Sequence, residues 1–102
     1  MIKITEAPTA LRLRGHAGGW PRGENPVCAA VSILLYTLAA GITQLEERGL
    51  VTEVTIRLEA GDGEVSARPG AEGERETILL FENARRGLAL LAEQFPEEVR
   101  FI

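Results

Sequence analysis

The sequence is sparing with reactive side chains: one cysteine, one histidine, one tryptophan, one tyrosine and one methionine occur in 102 residues. A lone cysteine excludes an internal disulfide. One cysteine and one histidine also fall short of the donor set that a protein-bound zinc ion needs, so neither a metal nor another cofactor is expected. Basic residues are not in excess. Lys and Arg number 11 against 15 Asp and Glu, a formal charge of −4, which leaves no electrostatic footprint for direct binding of nucleic acid. The longest apolar run, Val27 to Ile42, is short for a transmembrane helix and is interrupted by Ser32, Tyr36 and Thr37, so it reads as a core helix with no membrane partner. The opening MIKITEAPTA lacks the basic flank and apolar centre of a secretory signal. With the unpaired cysteine, this sets the expectation of a reducing, cytoplasmic environment.

What is present suits one domain, residues 1–102, with 45% hydrophobic and 25% charged residues, ordinary globular values. Met1 to Thr5 and Thr9 to Leu13 read as two short strands turning at Glu6-Ala7-Pro8. Gly15 to Glu24 holds four glycines and Pro21 and reads as a loop. Asn25 is a favoured N-cap, and Pro26 suits a first helical position, where no N–H is needed. The helix runs to Leu45, then to a polar Glu46-Glu47-Arg48 and a glycine stop at Gly49. Leu50 to Ala60 alternates, with Val54, Ile56 and Leu58 on one face and Glu53, Thr55, Arg57 and Glu59 on the other. Gly61-Asp62-Gly63 supplies a hairpin turn before a strand over Glu64 to Arg68. Helical spacing resumes through Ile78, Phe81, Ala84, Leu88, Leu91 and Phe95 until Pro96, and Val99 to Ile102 reads as an edge strand. The order ββαββαβ predicts an α+β fold: a mostly antiparallel sheet with two helices packed on one face. The pairs Glu46-Glu47 and Arg85-Arg86 read as solvated.

The chemistry concentrates in RGHAGGWPRGENPVCAAVS, residues 14–32, which carries both His16 and Cys28. A thiol becomes a good nucleophile as the thiolate, and a helix N-terminus favours that anion. Cys28 is predicted at the third helical position. An imidazole can take the thiol proton and return it to a leaving amine, and His16 is the one candidate for that part. Amides at the helix end, that of Cys28 included, are candidate donors to an oxyanion. Taken singly, a cysteine within CAAVSILL is commonly a small buried hydrophobe and a histidine after a strand a surface residue. Their joint placement beside a capped helix start and a glycine-rich loop brings the catalytic reading level with that bland one. Trp20, on the loop with Gly18, Gly19 and Gly23, is either a contact for an aromatic substrate segment or an anchor of the loop on the sheet.

Gly15-His16-Ala17, Gly23 and Val27-Cys28-Ala29-Ala30-Val31-Ser32 resemble the signature of the ribosomal-processing cysteine proteases, the Prp or YsxB-like family. The resemblance implies a cysteine endopeptidase that removes an N-terminal extension from a large-subunit ribosomal protein precursor, cutting after a segment that ends in aromatic residues. It makes Cys28 the nucleophile and His16 the base and acid, places Ser32 at the family serine, and implies a homodimer. The serine has a plainer alternative, a hydroxyl bonded to the preceding helical turn. The family pattern Gly-x-Asp-x-Val-Cys is here Gly23-Glu24-Asn25-Pro26-Val27-Cys28. Asn25 keeps the capping oxygen but not the charge; Glu24 beside it is a candidate electrostatic substitute, and an asparagine can also orient a histidine. A non-catalytic module that binds peptide or ribosomal protein is the alternative function. A redox sensor would need a partner thiol from outside the chain.

Overall fold

The computed structural model describes residues 1–18 and 24–102. Strands β1 (Ile2–Ala7) and β2 (Ala10–Arg14) form an antiparallel hairpin. Ala7 pairs with Ala10, so the turn is Pro8-Thr9 rather than Glu6-Ala7-Pro8. Proline, with its fixed φ and no N–H to donate, takes the turn and leaves Glu6 and Ala7 free to extend β1. Helix α1 (Pro26–Glu47) follows, then the hairpin β3 (Val51–Glu59) and β4 (Asp62–Pro69), helix α2 (Glu74–Gln94) and strand β5 (Val99–Phe101). The five strands make one sheet in the order β3-β4-β2-β1-β5; β1 and β5 are parallel and the other pairs antiparallel. This is the α+β arrangement expected, with α1 packed over β3 and β4 and against α2, and α2 reaching β5.

The end of α1 is set by Gly49, whose φ of 74° is natural only for glycine. From there the N–H of Gly49 reaches the Glu46 carbonyl at 2.9 Å and that of Leu50 the Leu45 carbonyl at 2.9 Å, which satisfies the otherwise unpaired helix end. The hairpin turn lies one step earlier than its sequence suggests. Glu59 pairs with Asp62, so Ala60 and Gly61 close the turn, and Asp62 and Gly63 already belong to β4. Strand β3 carries a second departure. Between Thr52 and Thr55 the register slips against β4, and Glu53 takes a left-handed φ of 51°. That extra residue, a β-bulge, resets the alternation. It carries Val54, Ile56 and Leu58 onto the face of buried Val51, which an unbroken strand would have given to Glu53, Thr55 and Arg57.

The core fills the space between the helices and one sheet face. Ile2, Ile4, Leu11, Leu13, Val65 and Val99 come from the strands, Val31, Leu35, Leu38 and Ile42 from α1, and Phe81 and Leu88 from α2. Each fully buried side chain of this size contributes roughly 1.5–3 kcal/mol. The helices meet through reciprocal glycine–leucine contacts. A methyl added at Gly41 would stand 3.0 Å from Leu80 Cδ1, and one at Gly87 2.7 Å from Leu34 Cδ2. Each glycine costs helix propensity and gains a close helix crossing. Arg85 is not solvated as expected. Its side chain donates to the Ala7 carbonyl at 3.0 Å and pairs with Glu6 at 3.6 Å, tying α2 to the end of β1.

Candidate active site

Asn25 builds the start of α1. In its extended conformation (φ −78°, ψ 117°) the side-chain oxygen accepts the N–H of Val27 at 2.7 Å and of Cys28 at 3.2 Å. Pro26 has no N–H, and that of Ala29 donates to the Asn25 carbonyl at 3.2 Å. Every amide of the first turn is therefore engaged. The sequence offers these amides, Cys28's included, as candidate donors to an oxyanion; in this structure the cap holds them. The side-chain nitrogen of buried Asn25 donates to the Gly18 carbonyl at 3.4 Å. Among the described residues that side chain bonds as a cap and as a tether to the segment after β2, with no hydrogen bond to His16. Glu24 is exposed, with no ion pair among the described residues.

Cys28 is half-buried, its apolar side against the core. Residues spaced by four from it, Ser32 and Tyr36, continue down the same side of α1 and line one cleft of about 590 Å³ with it. Thr37 and Thr43 bond to the carbonyl four residues back, at 2.6 and 2.9 Å. Among the described residues the Ser32 hydroxyl makes no such bond, so its plainer alternative is not formed here.

His16 reaches the same cleft from the opposite side, just beyond β2. Its backbone is held at three points. The N–H of Gly15 donates to the Gly61 carbonyl at 3.0 Å, the Met1 amino group donates to the His16 carbonyl at 2.6 Å, and Gly15 itself takes a φ of 104° against the Met1 backbone. The imidazole is exposed and lies against the turn at Gly61. Among the described residues no hydrogen bond joins it to the thiol, although both line the cleft. Leu58, Glu59 and Asp62 complete the hairpin wall, and Ile2, Leu13 and Leu35 give the cleft an apolar floor. Sequence reasoning missed Tyr36 and the hairpin wall. The spacing of Cys28, Ser32 and Tyr36 was the available signal for the first; the second depends on strand order. Gly18 is exposed. Gly19, Trp20 and Gly23, expected in the substrate loop, lie outside the described residues.

Asp62 anchors this hairpin from the uncovered sheet face. Its carboxylate lies 3.2 Å from Arg57, 3.8 Å from Arg12 and 3.9 Å from Arg14, and Arg57 also meets Glu64 at 3.0 Å. The hydrogen bond from Arg57, with the nearby charges of Arg57, Arg12 and Arg14, holds the Asp62 carboxyl below its ordinary value. Asp62 in return raises Arg57. Among the described residues no cluster of three or more His, Cys, Asp or Glu side chains is placed to hold a metal ion.

Residues 1–100 match the sequence model of the family described as cysteine protease Prp. The chain belongs to the Prp cysteine protease family. Its fold is similar to that of the essential ribosomal-processing protease Prp from S. aureus, solved with a covalently linked product peptide (TM-score 0.73, 20% identity, 98% of this chain and 94% of that one). The S. aureus Prp in complex with a substrate peptide matches with a TM-score of 0.68 and 21% identity over 99% and 95% of the two chains. SMU.848 from Streptococcus mutans matches at 0.65, with 27% identity over 98% of this chain and 89% of that one. No curated protein matches the sequence. As a Prp family member the chain is a cysteine peptidase, and the cleft now described contains its sole cysteine.

Proposed function

We propose that this peptidase removes an N-terminal extension from a large-subunit ribosomal protein precursor, with Cys28 as nucleophile and His16 as general base and acid. The observation that carries the reading is the meeting, in one cleft, of the only cysteine and the only histidine of a cysteine protease family member. Cys28 stands at the positive end of α1, where an anion is favoured. Closure of the cleft on a peptide brings the imidazole to the thiol, as catalytic contacts often tighten only with substrate bound. His16 takes the thiol proton while Sγ attacks the scissile carbonyl carbon. The imidazolium returns that proton to the departing amine as the C–N bond breaks and a thioester remains. Water, deprotonated by His16, then releases the acid and the thiol. The apolar floor and Tyr36 suit a substrate with aromatic residues before the cut. The processing role of the S. aureus relative and its peptide complexes support this substrate class.

The proposal extends to a homodimer in the cytoplasm. Helix α1 has no charged residue from Pro26 to Leu45, yet Ala29, Ile33 and Ala40 form an exposed stripe along it, with Ile33 60% accessible. A second copy would cover this stripe. The decisive assay incubates the protein with an extended ribosomal protein precursor and follows its length by mass spectrometry. Cleavage by the unmodified chain, absent with Cys28→Ala and with His16→Ala, is expected; an uncut precursor would overturn the reading.

A further inference from the structure

Gly61 sits at the tip of the β3–β4 hairpin with a φ of 74°. A Cβ at this position would lie 2.5 Å from His16 Nε2, 2.9 Å from Cε1 and 3.3 Å from Cδ2. The distal edge of the imidazole thus rests on a residue that has no side chain. Two positions on, Gly63 does the same for α1: a Cβ there would collide with Leu35, which lies two helical turns along from Cys28. One hairpin therefore touches the imidazole with the glycine of its turn and the thiol-bearing helix with the glycine of β4. Its backbone is fixed by the Gly15–Gly61 hydrogen bond of 3.0 Å and by the three arginines gathered on Asp62.

We propose that Gly61 is a positioning residue for His16: the bare backbone at Gly61 is the surface on which the imidazole is seated within the cleft that also holds Cys28. This inference rests on the catalytic part assigned to His16 under Proposed function. The seat acts by shape. A side chain at position 61 occupies the volume of the distal ring edge and drives the imidazole out of the cleft while leaving its chemistry intact. Misplacement by about 1 Å is enough to cost a large factor in rate.

Gly49 provides the matched control. It has the same φ of 74°, but a Cβ there meets nothing within 4 Å. Asparagine tolerates left-handed backbone better than other side chains, so Gly61→Asn and Gly49→Asn impose comparable strain and differ in the contact with His16. Both variants of the full chain are compared with the unmodified protein in three measurements: thermal midpoint, kcat and KM on a peptide spanning the extension junction, and the ring signals of the single histidine in a 1H–13C spectrum. Gly61→Asn is expected to lower kcat by about tenfold or more with KM little changed, and to move the His16 ring signals. Gly49→Asn should leave both as in the unmodified chain, with a similar shift in midpoint. Unchanged ring signals in Gly61→Asn, or an equal loss of kcat in both variants, overturn the proposal. If the unmodified chain cleaves nothing, the catalytic reading falls on its own. The ring signals then still decide the seat: movement in Gly61→Asn alone supports it, and no movement overturns it.

Discussion

The side-chain oxygen of Asn25 accepts the backbone N–H of Cys28 at 3.2 Å, so the residue that starts α1 also fixes the peptide unit from which the thiol projects. Its nitrogen end, bonded to the Gly18 carbonyl at 3.4 Å, ties the same junction to the segment that follows His16.

Removing this cap exposes the two jobs separately. Asn25→Ala leaves the Val27 and Cys28 amides unpaired and should lower stability by about 1–2 kcal/mol in urea denaturation. Asn25→Asp keeps the accepting oxygen, adds a charge favoured at a helix N-terminus, and loses the donor to Gly18. It is expected to stay within about 1 kcal/mol of the unmodified chain. A loss as large as that of the alanine variant would show that the tether, not the cap, is the main contribution.

Stability should fall in acid through Asp62. Its carboxyl titrates lower in the folded chain than its ordinary value of 3.8, chiefly through the hydrogen bond from Arg57. The ionised form therefore contributes stability that is complete above the ordinary value and is lost as pH falls through the lower folded value. Thermal midpoints of the unmodified chain and Asp62→Asn should differ by a constant amount at neutral pH and converge below about pH 4. Parallel curves down to the lowest pH would show that the ion cluster adds nothing.

Gly87 tests the helix crossing. Alanine is the better helix former by about 1 kcal/mol, but its methyl would stand 2.7 Å from Leu34 Cδ2. Overpacking of this kind typically costs about 1–3 kcal/mol, so Gly87→Ala should destabilise on balance. Paired with Leu34→Ala, which empties the space, the same change should cost less or stabilise. A double-mutant cycle measures that coupling.

The exposed stripe on α1 gives a hydrodynamic prediction. Ile33, 60% accessible in the single chain, should be covered in a homodimer. Ile33→Asp is expected to sediment as a monomer where the unmodified chain sediments as a dimer, with little change in the circular dichroism of the helices. Identical sedimentation of the two proteins would place any association elsewhere.

Much of the fold was legible because local signals agreed with one another. Asn25-Pro26 marks a helix start by capping and by the missing N–H, and Gly49 marks its end by backbone freedom; both act within a few residues. The departures need partners distant in sequence. The slip at Glu53 is defined only against β4, and the contacts Gly41–Leu80 and Gly87–Leu34 only when two helices cross. Arg85 looked solvated because Glu6 and the Ala7 carbonyl are far from it along the chain. The candidate site divides in the same way. His16 and Cys28 could be named from residue type and position, and Ser32 from its match to the family serine. Gly61 could not, because GDG reads as turn chemistry until the sheet order brings that turn under the imidazole.

The single surplus residue at Glu53 works as a parity switch. Strand β3 is written in two phases, one for Val51 and another for Val54, Ile56 and Leu58, and the left-handed step between them puts both sets on the helix-covered face, where Val54 is half-buried and Ile56 and Leu58 stay exposed at its edge. Deleting Glu53 would put the second half out of phase: Val54, Ile56 and Leu58 would leave the helix-covered face, and Arg57, with its ion pairs, would turn under α1. The same loss of one residue at an exposed loop would pass with little effect. The kink also interrupts the free margin of an edge strand, so another chain cannot add itself in register along its whole length.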